Sequence, residues 1–348
     1  MSAGERLRHA AEAEEHHALC AIEAPVAARA VGASGAARVG EVPGSLAGGV
    51  LRRLPAVPAR AVEARGALGT RREAVGADLD AVLRSYGSLV VAFSGGVDSA
   101  YLAWAATTVL GRERVLCATA VSPSLGAAEL DDCVALARRW DLRWCPVVTG
   151  EAEDPRYLAN GTERCFYCKS ALMTALEPLA AAEGATVVLG VNLDDLGEHR
   201  PGQRAAAERG ARFPLVEAGY SKARIRAESR RAHLPTWDKP AAPCLASRIP
   251  YGTPVTLGTL QAVARAESGL RDLGFEQVRV RHYGDLARVE VPVADLARCL
   301  AQRQAVVDAV RAGGYRYVTV DLDGLRSGNL NDAAGVPGAC GVSGEVAR

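Results

Sequence analysis

The sequence has little of what marks a membrane, secreted or nucleic-acid-binding protein. No apolar run in the 348 residues approaches the roughly 20 residues that a transmembrane helix needs. Acidic and histidine residues interrupt the N-terminal stretch where a signal peptide would have its apolar core. The 41 basic and 40 acidic side chains leave a net charge of +1, so no overall charge attracts the chain to nucleic acid. We therefore expect a cytoplasmic protein with neither a membrane nor a nucleic acid as its partner.

The cysteine content argues against a disulfide framework. The nine cysteines are odd in number, and thiols stay reduced in the cytoplasm. Four of them lie within apolar strand or helix patterns, where a free cysteine acts as a small buried hydrophobe. These four, which we predict to be structural, are Cys117, Cys133, Cys145 and Cys299.

The chain also lacks the Gly-Lys-Ser/Thr ending of a Walker phosphate loop, but another glycine-rich turn is present. The apolar run 89–93 predicts a buried strand, and the run 100–110 predicts a helix that ends at Gly111. The turn between them consists of Ser94, Gly95, Gly96, Val97, Asp98 and Ser99. This order is similar to the pyrophosphate loop (PP-loop) of enzymes that split ATP into AMP and pyrophosphate.

Each residue type in this turn suits a phosphate site. Gly95 and Gly96 let backbone N–H groups close around an anion, and the following helix N-terminus adds partial positive charge. Ser94 and Ser99 can donate hydrogen bonds to phosphate oxygens. Asp98 beside a phosphate is suited to help hold Mg²⁺. We therefore predict that these residues bind ATP.

The domain organisation follows from composition and hydrophobic period. Residues 1–70 are rich in Ala, Gly, Arg and Val and are interrupted by prolines, which predicts a disordered extension. Strand and helix patterns, including a helix over 169–183, alternate in 71–250 and predict an α/β domain with a parallel sheet and helices on both faces. Residues 251–330, with a hairpin and a helix over 293–312, predict a smaller α+β domain. A flexible tail, 331–348, follows.

Three cysteines differ from the others. Cys165 and Cys168 form a C-x-x-C at a loop-to-helix junction, where thiols chelate metals or acquire a lowered pKa. Cys244 has prolines before it, and the nearby cations Lys239 and Arg248 favour a thiolate. Three thiolates would leave one iron of a cubane cluster free to hold an extra sulfide. The alternative interpretation is three small buried hydrophobes.

Six segments, in this order, carry a resemblance to one family. They are SGGVDS (94–99), RCFYCK (164–169), NLDDLGEHRPGQRAA (192–206), WDKPAAPCLASRIPYGTPVT (237–256), VRVRHYGDLARVEV (278–291) and YVTVDLDGLRSG (317–328). The chain resembles the LarE family of PP-loop sulfur transferases, which build the nickel-pincer nucleotide cofactor of lactate racemase. The resemblance spans about residues 72–331. It implies an adenine nucleotide alpha hydrolase-like (PP-loop) fold, within an α/β class.

The resemblance also implies a reaction. ATP and Mg²⁺ adenylate a carboxylate of pyridinium-3,5-biscarboxylic acid mononucleotide, sulfur displaces AMP to give a thiocarboxylate, and the second carboxylate reacts likewise. In one form of the family a cysteine at the position of Cys244 gives up its own sulfur and becomes dehydroalanine. In the other form that cysteine joins a C-x-x-C to hold a [4Fe-4S] cluster. Because Cys165 and Cys168 are present, we expect the cluster form, with all three cysteines catalytic and metal-binding.

The resemblance leaves the sulfur donor open and suggests a homo-oligomer, with a hexamer as one form. Asp194 and Asp195 follow a strand end and are expected to position Mg²⁺ or the nucleotide, with an Asx turn at Asn192 as the alternative. Arg279 and Arg281 share one strand face and suit the substrate's phosphate and carboxylate, unless they form a solvated strand face. Arg248 is expected to bind the nucleotide or substrate with them.

Two other functions stay open at this point. A PP-loop tRNA thiolase also uses adenylation and a cluster, but it should show a basic surface or an appended nucleic-acid module. A non-catalytic iron–sulfur or nucleotide-binding scaffold would release no pyrophosphate with any acceptor. An amide-forming PP-loop synthetase gives no reason for the three cysteines.

Overall fold

The computed structural model describes residues 76–196 and 200–326. The predicted disordered extension 1–70, with Cys20, and the predicted tail 331–348, with Cys340, lie outside the described residues. Within the described ranges, no helix is long and apolar enough to cross a membrane.

A parallel four-stranded sheet forms the first half of the fold. Its strands are β1 (Leu89–Ala92), β2 (Val115–Val121), β3 (Arg143–Val148) and β4 (Thr186–Leu189). Their order is β3-β2-β1-β4, and Leu89 pairs with both Val115 and Thr186. The central strands are almost continuously apolar, as expected for parallel strands that are covered on both faces. The predicted α/β class with a parallel sheet is therefore confirmed.

Helices cover both faces of this sheet. They are α1 (Ala77–Tyr86), α2 (Val97–Leu110), α3 (Ala127–Arg139), α4 (Pro155–Leu158), α5 (Arg164–Glu183), α6 (Pro201–Glu208), α7 (Pro214–Glu217) and α8 (Lys222–Arg231). Alternate side chains of β1 point to opposite faces: Leu89 and Val91 pack in one core with α1 and α2, whereas Val90 packs with α5 in a second core.

A three-stranded sheet with its own core follows. Its elements are α9 (Leu257–Asp272), β5 (Arg279–Tyr283), β6 (Leu286–Glu290), α10 (Leu296–Ala301), α11 (Arg303–Ala312) and β7 (Tyr317–Val320). β5 and β6 form the predicted antiparallel hairpin, and β7 pairs with β6 in parallel. The predicted single helix over 293–312 was wrong, because the backbone turns at Gln302 (φ −96°, ψ 21°) between α10 and α11.

The structure tests two further sequence predictions, the burial of four cysteines and the start of the helix after the C-x-x-C. Cys117, Cys133, Cys145 and Cys299 are buried free thiols, as predicted. The helix predicted from residue 169 begins earlier, at Arg164, so both cysteines of the C-x-x-C lie within the first five residues of α5. Glu163 caps this helix without a side-chain hydrogen bond, which is why no capping pattern marks the start.

Candidate functional site

The predicted phosphate loop connects β1 to α2 at the carboxyl edge of the parallel sheet. Gly95 has a φ of +66°, a conformation that glycine adopts without strain. The Ser99 hydroxyl accepts a hydrogen bond from the Ser94 amide (3.2 Å) and lies 3.0 Å from the Ser94 hydroxyl. Gly96 is the N-cap of α2 and provides no side-chain cap. The first amides of α2 are therefore available to an anion.

The end of β4 lies directly against this loop. A Cβ added to Gly190 would stand 2.7 Å from the Ser99 nitrogen and 2.9 Å from the Asp98 carbonyl carbon. Both neighbours are backbone atoms that cannot move aside cheaply, so only glycine permits this approach. Gly190 is a site residue that the sequence reasoning missed.

Two lysines contact the loop from distant parts of the chain. Lys222, the first residue of α8, places its Nζ 2.5 Å from Oδ2 of Asp98. Lys239 donates to the Gly95 carbonyl at 3.1 Å and pairs with Asp132 at 2.7 Å. These contacts place Lys239 at the phosphate loop, whereas the sequence had indicated a role near Cys244. No sequence pattern distinguishes Lys222, which lies 124 positions from Asp98.

Asp98 has the character of a cation ligand. Its Oδ1 is buried and has no hydrogen-bond partner, and Mg²⁺ prefers carboxylate oxygens supplemented by substrate phosphates. Among residues 76–196 and 200–326, no group of three His, Cys, Asp or Glu side chains converges to hold a metal ion. The residues present therefore fit a Mg²⁺ that arrives with ATP.

The acidic residues after β4 are engaged in local contacts. The Asn192 side chain accepts from the Asp194 amide (3.0 Å), and Asp195 accepts from the Asn192 amide (3.1 Å). This is the Asx-turn arrangement that stood as the alternative for Asn192. Asp194 also accepts from the backbone N–H of Lys222 (2.6 Å), while Asp195 pairs with Arg200 (2.9 Å). Asp194 thus connects the turn to the phosphate-loop lysine.

The three selected cysteines are near one another. Cys165 and Cys244 are exposed, and Cys168 is partly buried. Burial raises the pKa of Cys168 to about 12, and the nearby Cys244 and Cys165 also raise it, which Lys169 partly offsets. Arg164, next to Cys165, donates a hydrogen bond to the carbonyl of Ala246, two residues after Cys244, so the structure brings the two cysteine segments together. The three cysteines are not three buried hydrophobes.

A buried polar network holds the two cysteine segments together. Arg164, next to Cys165, donates to the Asn160 side chain (2.6 Å) and to the Ala246 carbonyl (2.8 Å). The Asn160 amide group donates to the carbonyls of Pro250 and Thr253, both at 2.8 Å. Burial alone would lower the pKa of Arg164, but the nearby Cys244 and Cys165 raise it. The sequence reasoning missed Arg164 and Asn160.

The three predicted arginines also converge, but not on a solvated face. Arg248 pairs with the buried Glu267 at 2.8 Å, and Arg281 pairs with the buried Glu290 at 2.8 Å. Arg279 donates to a backbone carbonyl (2.9 Å). Burial, with Arg281 and Arg248 nearby, lowers the pKa of Arg279. A guanidinium crowded by two others suits an anion, so this cluster can receive a phosphate or carboxylate.

The segment that carries Cys244 contacts loops at the carboxyl edge of the parallel sheet at two points. Lys239 bonds to the phosphate loop, as described above, and the Leu245 amide donates to the Ser124 carbonyl at 2.9 Å in the loop after β2. Cys244 lies between these two anchors. The thiol neighbourhood therefore adjoins the carboxyl edge, where ligands of parallel sheets bind.

Curated proteins of other organisms are similar to this chain in sequence. No protein-family model matches the chain. It is 47% identical over 245 residues to an uncharacterised protein of Synechocystis, covering 70% of this chain and 91% of that protein. It is 37% identical over 257 residues to the pyridinium-3,5-bisthiocarboxylic acid mononucleotide synthase of Lactiplantibacillus plantarum, covering 74% and 93% respectively. An uncharacterised protein of Methanocaldococcus jannaschii is 25% identical over 242 residues.

Proposed function

Since the chain belongs to the LarE family of pyridinium-3,5-bisthiocarboxylic acid mononucleotide synthases, we propose that it is an ATP-dependent sulfur transferase. It adenylates the carboxylates of pyridinium-3,5-biscarboxylic acid mononucleotide and converts them to thiocarboxylates for the nickel-pincer cofactor of lactate racemase. The observation that carries this proposal is the 239–245 segment, which bonds to the phosphate loop at Gly95 and to Ser124 while presenting Cys244.

The first step is adenylation. A substrate carboxylate oxygen attacks the α-phosphorus of ATP, a new O–P bond forms, and the bond to pyrophosphate breaks. The amides of the glycine-rich turn and the first turn of α2 hold the phosphates. Lys222 contacts Asp98 and Lys239 contacts the Gly95 carbonyl of this turn, and both lysines offset the charge of the leaving pyrophosphate. Asp98 supplies the carboxylate oxygen for Mg²⁺.

The arginine cluster is proposed to hold the substrate. The pyridinium nucleotide carries a phosphate and two carboxylates, all of which a guanidinium binds through paired N–H groups. Arg248 and Arg281 are held by ion pairs with Glu267 and Glu290, so their guanidinium groups are preorganised. Among the described residues no carboxylate pairs with Arg279, which makes its guanidinium the best available anion ligand of the three.

The second step transfers sulfur. A sulfur nucleophile attacks the acyl carbon of the mixed anhydride, the C–S bond forms, and AMP leaves with the electron pair of the C–O bond. Cys165, Cys168 and Cys244 offer three thiols, and the ligands of a cubane bind separate irons, so they need not converge as around a single ion. When bound, a [4Fe-4S] cluster would supply an exchangeable sulfide. Arg164 holds the C-x-x-C beside the Cys244 segment.

Pyrophosphate release tests the activity. We expect release that depends on ATP, Mg²⁺ and the biscarboxylic acid mononucleotide together, and its loss in Asp98→Asn. Release that does not require the mononucleotide would contradict the substrate assignment.

Iron and acid-labile sulfide per chain, measured after anaerobic purification, test the cluster. We expect the iron of one cubane in the wild type and its loss in Cys165→Ala. Absence of iron under all conditions would leave Cys244 as a sacrificial donor, with dehydroalanine as the mass-spectrometric mark. Sedimentation velocity, which reports the mass of the assembly, tests whether the chain forms a homo-oligomer.

A further inference from the structure

One face of α8 carries a basic side chain in every turn. Lys222, Arg226 and Arg230 recur at intervals of four residues, and this spacing places side chains on the same face of a helix. Lys222 contacts Asp98 at the phosphate loop, as described above. The steps proposed above use Lys222 but neither Arg226 nor Arg230.

Arg226 binds the backbone of the segment that carries the other phosphate-loop lysine. Its two terminal nitrogens donate hydrogen bonds to the carbonyls of Trp237 (3.0 Å) and Lys239 (3.3 Å). Because the guanidinium is planar and rigid, it fixes the direction of the chain as well as its distance from α8. Hydrogen bonds from a charged donor are also stronger than those between neutral groups. The backbone at Lys239 is therefore attached to α8.

Two more contacts hold the same segment. The Lys239 amide donates to the Thr236 carbonyl at 3.1 Å, which closes a turn over residues 236–239. The guanidinium carbon of Arg230 lies 4.9 Å from the centre of the Trp237 ring, within the range of a cation–π interaction. The turn that ends at Lys239 is thus held against α8 through both its backbone and its tryptophan ring.

The attached backbone matters because the side chain of Lys239 is long and flexible. Its Nζ donates to the Gly95 carbonyl at 3.1 Å and pairs with Asp132 at 2.7 Å. Holding a lysine side chain in one position costs conformational entropy. The Asp132 side chain is 54% exposed, and an ion pair with an exposed partner contributes little by itself. A fixed backbone therefore helps to keep the Lys239 ammonium at the phosphate loop.

We propose that Arg226 is a positioning residue for ATP. It holds the backbone of Lys239 so that the ammonium group reaches the phosphate loop, and it acts through that lysine without touching the nucleotide. Since Lys222 belongs to α8 itself, this one helix sets the position of both lysines that face the pyrophosphate part of ATP. The inference rests on the proposed function, in which Lys239 offsets the charge of the leaving pyrophosphate, and it adds the residue that places Lys239 there.

Calorimetric titration of the full chain with ATP and with AMP tests the proposal. In Arg226→Met we expect ATP affinity to fall about tenfold, the loss also expected for Lys239→Met, while AMP affinity changes less than about twofold. The double variant Arg226→Met/Lys239→Met should bind ATP within about twofold of Lys239→Met alone, because two residues that act as one unit are not additive. Arg226→Lys keeps the charge but not the planar fork, so its ATP affinity should lie between those of the wild type and Arg226→Met. If Arg226→Met does not fold, Arg226→Lys takes its place, and it should change nothing when Lys239 is already methionine.

Arg224→Met is the matched control, since Arg224 lies on the same helix but pairs with Asp78 of α1 at 2.8 Å. It should bind ATP as the wild type does. A loss of about a hundredfold in the double variant, the product of two independent effects, would overturn the inference. So would wild-type ATP affinity in Arg226→Met, or in Arg226→Lys, which would show that only the charge matters.

These affinities are measured without the mononucleotide, so they are separate from the test of the proposed function. A wild-type chain that shows the coupling between Arg226 and Lys239 but releases no pyrophosphate would contradict the proposed function alone. A wild-type chain that does not bind ATP would contradict both.

Discussion

Arg164 donates a hydrogen bond of 2.8 Å to the carbonyl of Ala246, across 82 positions of the sequence. This contact joins the start of α5, which carries Cys165 and Cys168, to the turn that follows Cys244. Arg164 is 5% exposed, so water does not compete for the bond. This buried guanidinium and its partner Asn160 therefore help to hold the two thiol-bearing segments together.

Replacing Arg164 should separate the thiol segments. Arg164→Met removes two hydrogen bonds from a charged donor, which are typically worth about 1.5–3 kcal/mol each, and leaves the Asn160 oxygen unpaired. We expect a lower melting temperature and loss of bound iron, with ATP affinity retained. Differential scanning fluorimetry measures the melting temperature, and iron analysis measures the bound iron. Arg156→Met is the control, because Arg156 is an exposed arginine of the adjacent α4; iron loss there as well would contradict the prediction.

The phosphate-loop lysines should matter for ATP and not for AMP. Lys222→Met and Lys239→Met each remove a positive charge from the edge of the glycine-rich turn, where the β- and γ-phosphates would lie. We expect ATP affinity to fall about tenfold in each, equivalent to about 1.4 kcal/mol, with AMP affinity changed less than twofold. Isothermal titration calorimetry gives both values.

Arg112→Met provides the comparison for charge removal. Arg112 lies just before β2, at the opposite, amino edge of the sheet, so ATP affinity should remain as in the wild type. Equal losses of ATP and AMP affinity in the lysine variants would show that the lysines support the loop and do not contact the phosphates.

Gly190→Ala should disturb the phosphate loop through a steric clash. The added methyl group would meet backbone atoms of Ser99 and Asp98 at under 3 Å, and overpacking of this kind costs about 1–3 kcal/mol. We expect a lower melting temperature and weaker ATP binding. Gly150→Ala, just after β3, the other outer strand of the sheet, is the control, because its Cβ would meet nothing within 4 Å. A Gly190→Ala protein that binds ATP as tightly as Gly150→Ala would refute the close approach.

Stability should fall in alkaline solution partly because of Cys133. Burial raises the pKa of this thiol to about 11, while a thiol in an unfolded chain titrates near about 8.5. Between these values the folded state holds more protons than the unfolded state, so the free energy of unfolding decreases as pH rises. Cys133→Ala should show a shallower decline of melting temperature over this interval than the wild type. Parallel curves for the two proteins would contradict the assignment.

The phosphate loop could be predicted because its strand, turn and helix are consecutive in sequence. The hairpin of β5 and β6 was predictable for the same reason. The start of α5 was placed five residues late, since Glu163 makes no side-chain cap that a sequence pattern would show. Sequence patterns thus predict elements that are formed by consecutive residues, and they predict contacts between distant residues poorly.

The parts of the site that the sequence did not indicate depend on distant contacts. Lys222 reaches Asp98 over 124 positions, and a single lysine at the start of a helix looks like any surface residue. The ion pairs of Arg248 and Arg281 with buried carboxylates could likewise not be predicted. Strand periodicity predicts which face of the strand a residue lies on, but it does not predict the residues that it contacts.

The mass of the reaction product tests the central claim most directly. The chain would be incubated with ATP, Mg²⁺, sodium sulfide and pyridinium-3,5-biscarboxylic acid mononucleotide, and the nucleotide would be analysed by mass spectrometry. The account predicts one and then two exchanges of oxygen for sulfur, with one AMP formed for each. Recovery of the unchanged biscarboxylic acid, with no AMP formed, from a folded protein that binds ATP would contradict it.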